Sequence, residues 1–515
     1  MNDTINIRKG LDLPIAGAAE LRLSDARGVA LYAVKPTDFV GLVPRLLVEE
    51  GQRVEVGEAL LCDKNDPRIR LTSPVSGKVK AIVRGEKRKL LEVVVEAEGK
   101  AAPTAGVYEC PQNAEALKAL MLQCGLWPML RQRPFGTIAQ PDDKPKAIFV
   151  SAFSSAPLAP DYDFVMQGRE AFLKKGLEAL GLLTEGVVHV CFRPGQRLGA
   201  YFPCQESPLP PLKGGRAKRQ LTTPHTQLLT PNSSLLTPNS QLSTVNYQLS
   251  THEVQGPHPA GNIGTQIAHI DPINKGEVVW TMNVQDVAVL GELVSTGIYN
   301  PVKVIAVAGP QASNPHYYRV RTGACVESLL AGQLPQPDYP RMEAGKGTQG
   351  SRIISGDVLS GNKIEANGFL GAYDDLISIL PEGDYYDFMG WLMPGFKKYS
   401  YSRTFLSGFL PKDSFMPFGM RIPRFSSFWK FDTNTHGDQR PLVFTGNFER
   451  VFPFRIYPTQ LIKACIVGDI ELMEQLGIYE VEPEDFALCE FIDVSKTDLQ
   501  SIVRDALETL RKEER

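Results

Sequence analysis

The sequence lacks the close spacings of cysteine and histidine that are typical of metal sites. None of its eight cysteines forms a CxxC pair, and the closest two, Cys191 and Cys204, are thirteen positions apart. That spacing excludes a standard zinc knuckle and a loop whose four cysteines bind an iron–sulfur cluster. His258 and His269 are eleven positions apart and have no clustered carboxylates beside them. We therefore expect isolated, buried cysteines and predict no metal site.

The chain also lacks a long apolar run and a strong net charge. A transmembrane helix needs about 18 to 20 consecutive apolar residues, whereas serines interrupt the run from Ala147 to Ala159. The N-terminal sequence has no apolar core of signal-peptide length. A net charge of −3 is not the basic excess of a nucleic-acid binder. We expect a cytoplasmic protein that binds no nucleic acid and contacts a membrane only through partners.

At 515 residues the chain is long enough for several domains, and the first organised one spans residues 44–100. Short alternating segments separated by glycines predict a β-barrel there. The stretches GQRVEVGEAL and SPVSGKV resemble the barrel-sandwich fold of biotinyl and lipoyl carriers, in which a lysine at a hairpin tip is modified. Lys64 lies near that tip, but too close to Gly57 and too far from Pro74 for the carrier position. We favour a structural barrel with its tip at Asn65–Pro67, and a lipoylated carrier is the alternative.

Residues 105–300 follow an α/β pattern. Asn113 suits the N-cap of a helix, and the run that begins at Ala147 predicts a buried parallel strand. A second helix and the strand VVHVCFR repeat this unit, so we expect a doubly wound, Rossmann-like sheet. A nucleotide would bind where glycines at a strand-to-helix turn let backbone N–H groups reach phosphate. Arg131–Thr137 has one glycine beside a proline and a phenylalanine, and Gly261–Gly264 has only two, so neither predicts a phosphate loop.

Residues 203–251 interrupt this domain with a segment rich in Pro, Ser, Thr, Asn and Gln. The segment repeats LLTPNS at a spacing of seven, but the proline in each repeat forbids the continuous helix of a coiled coil. We predict a disordered insertion whose deletion, from 205 to 250, leaves stability nearly unchanged. The alternative is that its basic GGRAKR stretch contacts acidic partners or lipid headgroups.

Residues 301–380 predict a compact β-rich domain, and residues 456–515 predict three helices that close the chain. For the last helix, Ser495 suits the N-cap, and Asp498 supports the start through the helix dipole.

Between these two regions, residues 381–455 form an aromatic-rich segment. Fifteen of the 44 aromatic residues lie between Tyr385 and Phe431, without a helical or strand period. One interpretation is a loop-rich core packed by its own rings. The other is a surface that contacts a partner protein or a membrane, because aromatic residues and Arg are enriched at interfaces. A quinone ring could also stack on such a surface.

Several separated motifs occur in the order found in one known family. IRKGLDLPIAG, GQRLGAYF, HEVQGPHPAGNIGTQI, the strands around VIAVAG and the closing CEFIDVSKT resemble the A subunits of Na+-translocating NADH:quinone reductases. Apart from the insertion, the resemblance covers nearly the whole chain. That family is in turn similar to the C subunit of the Rnf complex and to the flavin-bearing subunit of complex I.

The resemblance implies a multidomain α/β protein. It would have an N-terminal segment (1–43), a barrel-sandwich hybrid domain of the biotinyl/lipoyl type, a Rossmann-like domain, a β-grasp domain of the SLBB type and a C-terminal helical region. It also implies a peripheral subunit on the cytoplasmic side of the bacterial inner membrane. Its partners would be the other five subunits (B to F), chiefly the integral-membrane B subunit, in an enzyme that couples NADH oxidation and ubiquinone reduction to Na+ export. NADH, flavins and an iron–sulfur centre would lie on partners, with no cofactor here and ubiquinone as a candidate ligand.

The sequence departs from the Rnf and complex I relatives where those proteins bind cofactors. Arg131–Thr137 replaces their glycine-rich flavin loop, Ser154–Phe164 replaces a cysteine-containing acidic segment, and Cys489 stands alone near the C-terminus. The alternative function, an electron-transfer subunit that binds flavin mononucleotide and NADH, is therefore disfavoured. We predict no catalytic, cofactor-binding or metal-binding residue. The candidates for contact with quinone or with a partner protein of the complex are Arg131, Arg133, Phe135, Gly136, Trp391 and Phe396.

Overall fold

The computed structural model describes residues 4–26, 28–98, 106–111, 113–201, 248–334, 350–385, 389–390, 392–395, 398–402, 405–408 and 428–513. Of the insertion predicted at 203–251, only residues 248–251 are described, and they begin a β-strand. Trp391 and Phe396 lie outside the described residues.

The N-terminal barrel consists of two small antiparallel sheets. The strands of this part of the chain are β1 (Thr4–Asn6), β2 (Glu20–Asp25), β3 (Leu31–Val34), β4 (Pro44–Leu46), β5 (Arg53–Val54), β6 (Ala59–Asp63), β7 (Arg70–Thr72), β8 (Gly77–Arg84) and β9 (Leu90–Ala97). One sheet has the order β3-β9-β8-β5 and the other β4-β6-β7. The side chains of Val54, Leu60 and Val93 are fully buried in the barrel core. Strands β1 and β2 do not belong to the barrel.

The predicted tip of the barrel is tied to the next domain. It lies between β6 and β7, where the Arg68 guanidinium pairs with Asp66 at 2.8 Å and with Asp142 at 2.6 Å. The backbone N–H of Lys64 donates to the carbonyl of Val43. The loop that would carry a lipoyl group is therefore held at both sides.

The second domain is a seven-stranded sheet with helices on both faces. Its elements and the short strands beside it are β10 (Gly106–Val107), α1 (Ala114–Cys124), β11 (Arg131–Arg133), β12 (Thr137–Ile138), β13 (Ala147–Ser151), α2 (Tyr162–Val165), α3 (Glu170–Leu180), β14 (Val187–Phe192), β15 (Gln248–Gln255), α4 (Ile263–Ile270), β16 (Val279–Thr281), α5 (Val284–Thr296) and β17 (Ile298–Tyr299). The strand order is β1-β15-β14-β13-β16-β11-β12. The first five strands in this order are parallel to one another, β11 is antiparallel to β16, and β12 is antiparallel to β11.

Alternation along β13 explains why helices cover both faces of this sheet. Ile148 and Val150 pack in the cluster that contains α3 and α5, whereas Phe149 packs with Ile267 of α4 on the other face. Buried on both sides, β13 is the continuous apolar run expected of a central parallel strand. The chain runs from β13 to β14 and β15 on one side and returns to β16 on the other. The doubly wound expectation is thus confirmed, with its switch point between β13 and β16.

The third domain is a six-stranded sheet that also includes the N-terminal strand β2. Its elements are β18 (Val302–Ala308), β19 (His316–Arg321), α6 (Glu327–Leu330), β20 (Ser351–Ser355), β21 (Asn362–Ile364) and β22 (Leu376–Pro381), in the order β2-β19-β18-β22-β20-β21. Because β1 pairs with β15 and β2 pairs with β19, residues 4–25 bridge the second and third domains.

The C-terminal region is helical: α7 (Phe448–Val451), α8 (Pro458–Val467), α9 (Ile470–Gln475), α10 (Pro483–Ile492) and α11 (Leu499–Glu513). The first of the three helices predicted in residues 456–515 is two helices, α8 and α9, because Gly468 adopts a φ of +76° and ends α8. The prediction that Ser495 is the N-cap of α11 is wrong. Asp498 accepts the N–H of Ser501 at 3.1 Å, while Ser495 is buried in the turn formed by Asp493.

The described rings of the aromatic-rich segment pack on one another and on α10. The Tyr399 and Phe431 ring centroids are 5.0 Å apart, and the Phe431 and Phe491 centroids are 6.2 Å apart. This packing agrees with a core held by its own rings for these residues. Among the described helices, none is both long enough and apolar enough to cross a bilayer.

Candidate functional site

A cavity of about 220 Å³ lies at the switch point of the second domain. Ser151 at the end of β13 and Asn283 just after β16 line it, as expected from the rule that open α/β sheets bind ligands at the carboxyl ends of strands around the switch point. The third domain adds Asp357 and Tyr373, and α10 adds Glu484. We call this cavity the switch-point cleft. Its volume is below the roughly 300–1,000 Å³ of typical ligand pockets, so it suits a single ring better than a dinucleotide.

Arg131 lines the cleft from the start of β11. Its guanidinium carbon lies 5.3 Å from the centre of the Tyr373 ring, within range of a cation–π contact. The same guanidinium is 2.8 Å from the Glu482 carboxylate and 3.9 Å from that of Glu484. Burial disfavours the charge, but the two carboxylates outweigh it and raise the pKa of Arg131. The residue is a fixed cation between the cleft and the helical region.

A buried polar group forms another wall of the cleft. The Tyr162 hydroxyl bonds to Oδ2 of Asp375, and the Asn283 amide lies beside both groups. Asn283 also begins α5, because its Oδ1 accepts the N–H of Gln285 at 2.8 Å. Burial raises the pKa of Asp375 despite the bonds from Tyr162 and the nearby charge of Lys303. This wall therefore joins a phenol, an amide and a carboxyl group that favours its neutral form.

His258 and Ser155 stand at the opposite side as a structural pair. The Ser155 hydroxyl lies 3.2 Å from Nδ1 of His258 and accepts the N–H of Gly261 at 2.7 Å. The His258 N–H donates to Asp12 at 2.8 Å, which ties the N-terminal segment to this wall. Burial lowers the pKa of His258. The pair therefore holds the loop before α4 in place.

The hairpin formed by β11 and β12 contains the segment Arg131–Thr137, and its two arginines pair with carboxylates of the chain itself. Arg133 is 2% exposed and reaches Glu482 at 3.3 Å, Glu484 at 2.6 Å and Asp485 at 3.1 Å. We call Arg131, Arg133 and these three carboxylates of the α10 start the hairpin–helix ion cluster. A Cβ on Gly264, in the first turn of α4, would lie 2.5 Å from an Asp485 oxygen. The ion pair of Arg133 and Asp485 thus fills the helix start at which a phosphate would bind, so these residues do not fit a flavin phosphate.

The predicted contact residues divide between the cleft and the ion cluster. Arg131 lines the cleft, while Arg133 is enclosed in the cluster. Phe135 packs edge-on against Tyr479 at 6.1 Å and accepts a hydrogen bond from Arg504 through its carbonyl. Gly136 faces the Glu482 carboxylate, about 3.1 Å from where a Cβ would be. These last three residues hold the helical region.

Sequence reasoning missed most of the cleft. Asn283 could have been found, because it directly follows the β-branched, apolar stretch VVWTM, which is typical of a strand, and strand ends bear binding residues in such folds. Tyr162 and Asp375 carried no local signal, since they meet only when the second and third domains pack together.

Cysteine geometry also does not fit an iron–sulfur cluster in the described part of the chain. No group of three or more His, Cys, Asp or Glu side chains is placed there to hold a metal ion. Cys489 is fully buried in the helical core, and burial raises the pKa of its thiol well above the usual value. A thiol that resists ionisation is a poor metal ligand.

Comparison with known proteins gives matches along the chain. Residues 5–98 match the NqrA N-terminal barrel-sandwich hybrid domain, residues 112–202 and 220–299 match the NqrA second alpha/beta domain, and residues 304–366 match the NQRA C-terminal domain. These matches confirm the predicted fold class: a barrel-sandwich hybrid, a second α/β domain and a domain of the SLBB type.

Several curated relatives, each the A subunit of a Na(+)-translocating NADH-quinone reductase, match over nearly their full length. The relative from Yersinia pseudotuberculosis serotype O:1b is 35% identical over 514 residues, covering 99% of this chain and 100% of the relative. That of Neisseria meningitidis serogroup B is 35% identical, with 99% and 100% covered. That of Rhodopirellula baltica is 33% identical, with 98% of each covered.

Among solved structures, a chain of the NAD+-reducing [NiFe]-hydrogenase in the air-oxidized state matches with a TM-score of 0.31 and 12% identity, covering 54% of this chain and 49% of that one. A likeness this low supports no conclusion about fold or activity.

Proposed function

This chain belongs to the A-subunit family of the Na+-translocating NADH-quinone reductases, and we propose that it is the peripheral A subunit of such an enzyme. The observation that carries this proposal is the collinear match of 35% identity over 99% of the chain and 100% of a relative. In this proposal the complex oxidises NADH, reduces ubiquinone and exports Na+. The chain is an essential part of that oxidoreductase and does not catalyse a reaction alone.

The five remaining subunits (B to F) are the proposed partners, and the integral-membrane B subunit is the main docking site. Two observations support a peripheral role. No described helix can cross a bilayer, and the helical region is fixed to the second domain by the hairpin–helix ion cluster, so it can present a defined surface. We place the protein on the cytoplasmic side of the membrane.

This protein is proposed to carry no redox cofactor of its own. The ion pair of Arg133 and Asp485 fills the start of α4 where a flavin phosphate would bind, and Cys489 is a buried, protonated thiol without suitable neighbours in the described chain. Flavins, the iron–sulfur centre and the NADH site accordingly lie on partner proteins of the complex. The rival function, a flavin and NADH subunit of the Rnf or complex I type, requires the phosphate site that these residues fill.

The switch-point cleft is the proposed contact for the ubiquinone ring. Its volume of about 220 Å³ suits one substituted ring, and its lining combines the Tyr373 ring and the Arg131 cation with the polar wall of Tyr162 and Asn283. A ring with carbonyl oxygens requires this pairing of apolar faces and a few directed donors.

Co-purification from membranes tests the main proposal. The chain is tagged in its host, membranes are solubilised in detergent, and the eluate is assayed for NADH-dependent quinone reduction stimulated by Na+. We expect membrane redox proteins and this activity in the eluate, and loss of the activity from membranes when the gene is deleted. Recovery of the chain alone, with unchanged membrane activity after deletion, overturns the proposal.

The purified chain separates the two functions. It is expected to be colourless, without flavin absorbance or fluorescence, while the complex shows both. A yellow isolated chain that reduces an acceptor with NADH would support the Rnf or complex I type instead.

A further inference from the structure

We propose that Tyr162 is the hydrogen-bond donor that recognises a carbonyl oxygen of the ring in the switch-point cleft, and that Asp375 is the positioning residue that decides whether the Tyr162 proton faces the ligand. The inference rests on the proposed function in one respect, namely that a quinone occupies this cleft. It concerns recognition only, and no bond to the ligand forms or breaks.

The position of Tyr162 makes its hydroxyl part of the cleft wall. The ring is 8% exposed and lines the cavity. Its short helix begins at Asp161, whose carboxylate accepts the N–H groups of Asp163 and Phe164, so the ring cannot swing away without breaking that cap. The hydroxyl lies beside the Asn283 amide, and both residues line the cavity, so the hydroxyl is at the edge of the cleft.

Asp375 controls the direction in which the Tyr162 proton points. A neutral carboxylic acid can donate its own proton to the phenol oxygen, which leaves the phenol O–H free to donate into the cleft. An ionised carboxylate can only accept, so it captures the phenol proton and leaves the ligand facing an acceptor.

The charges around Asp375 favour the neutral acid. The groups that face it are Tyr162, Tyr317, Asn283, Lys303, Asp374 and, behind Lys303, Asp286. The Lys303 ammonium lies 3.0 Å from Asp286 and donates to the Ala372 carbonyl at 2.9 Å, so most of its charge is balanced there. Burial raises the pKa of Asp375, and neighbouring Asp374 adds to the rise.

Other polar groups of the cleft are less suited to donate. The Ser151 hydroxyl donates to the carbonyl of Phe153 at 2.8 Å. Asp357 is an acceptor for the N–H groups of Leu359 and Ser360. Arg131 directs its guanidinium to Glu482 and lies over the ring of Tyr373, so it suits stacking against a ring more than a bond to a ring oxygen.

The test measures binding of a short-chain, water-soluble ubiquinone analogue to the purified full-length chain between pH 5 and 9. We expect Tyr162→Phe to weaken binding about three- to tenfold at low pH, the loss of one neutral hydrogen bond. Wild-type affinity should fall as pH rises through the pKa of Asp375. Asp375→Asn keeps a permanent donor to Tyr162, so it should retain the affinity and remove the pH dependence.

Tyr318→Phe is the matched control. It also deletes one phenol hydroxyl, which accepts a hydrogen bond from the Gln333 amide at 2.9 Å, but Tyr318 is not part of the cleft lining. Its affinity should match the wild type at every pH.

Two results overturn the inference in distinguishable ways. If the wild type binds the analogue and Tyr162→Phe binds equally well throughout, Tyr162 is not the donor, while the proposed quinone contact stands. If the wild type does not bind the analogue, the quinone contact fails together with this inference, and only co-purification decides the role in the complex. Should Asp375→Asn not fold, the wild type and Tyr162→Phe carry the test, because the ratio of their affinities must approach one at high pH.

Discussion

Arg133 and Asp485 are 352 positions apart in the sequence, and Nη1 of the arginine lies 3.1 Å from Oδ2 of the aspartate. Both side chains are almost completely buried, at 2% and 0% exposure. A buried ion without a partner strongly destabilises the folded state, so the β11–β12 hairpin and the start of α10 must stay in contact to keep both ions paired. It therefore fixes how the helical region sits on the second domain.

Replacing Arg133 with Met should destabilise the protein by roughly 3–5 kcal/mol, because three carboxylates lose their shared buried cation. Chemical denaturation measures the change in the free energy of unfolding. Lys144→Met is the matched control. Lys144 pairs with Glu185 at 2.8 Å in full solvent, where such pairs contribute little, so no measurable loss is expected. An equal effect of the two substitutions would contradict a stabilising role for the buried cluster.

Asp485 should make stability depend on pH. Burial raises its pKa to about 7, although Arg133 opposes the rise. The unfolded state releases the Asp485 proton from about pH 4, whereas the folded state keeps it until about pH 7. Protonated Asp485 therefore stabilises the folded state at low pH, and this contribution is lost as pH rises to about 7. Asp485→Asn keeps an acceptor for the N–H of Glu482 and has no proton to lose. The difference in unfolding free energy between wild type and variant, measured from pH 4 to 8, should change across this window; a constant difference contradicts the assignment.

The buried pair of Lys303 and Asp286 joins the second and third domains and should show strong coupling. The Lys303 ammonium is 3.0 Å from Asp286, and each side chain is less than 5% exposed. Lys303→Met leaves a buried carboxylate unpaired and should cost about 3–5 kcal/mol at pH 8. The double variant with Asp286→Leu should recover most of that loss, because no charge remains. A double-mutant cycle in urea measures the coupling, and additive losses would contradict it.

The parts of the fold that the sequence predicted are those with local causes. Asn113 was expected as an N-cap, and its side chain does accept the N–H of Ala116 at 2.8 Å. The apolar run at Ala147 is a central parallel strand, as predicted. The N-cap of α11 was missed because Ser495 and Asp498 both suit a cap. Ser495 lies in the preceding turn, where its N–H donates to Asp493, and Asp498 caps the helix. The polar wall of the cleft depends on domain packing, which no window of sequence records.

Lys64 tests whether the barrel carries a cofactor. We expect an unmodified intact mass and full activity of the complex with Lys64→Arg. The barrel shares its apolar core with the second domain, and the buried Thr72 hydroxyl after the tip donates to the carbonyl of Cys124 at 2.9 Å, so the barrel cannot swing as a carrier domain must. A mass increase on Lys64 in cells able to lipoylate, together with loss of activity in the variant, would establish the carrier role instead.

Gly264→Ala tests whether the chain itself fills the helix start at the switch point. In a helix, Ala is normally favoured over Gly by about 1 kcal/mol, so an open site would be stabilised by the change. Here the new Cβ would lie 2.5 Å from both Nη1 of Arg133 and Oδ1 of Asp485. Those side chains are buried and paired, so they cannot move aside cheaply, and overpacking of this kind costs about 1–3 kcal/mol.

The expected sign for Gly264→Ala is therefore a loss of unfolding free energy in urea. Gly437→Ala is the control, because a Cβ there meets no atom within 4 Å and stability should stay within about 0.5 kcal/mol of the wild type. Stabilisation by Gly264→Ala would mean that the carboxylates are not packed on α4. The helix start would then be open to an anion, and a flavin phosphate could bind there after all.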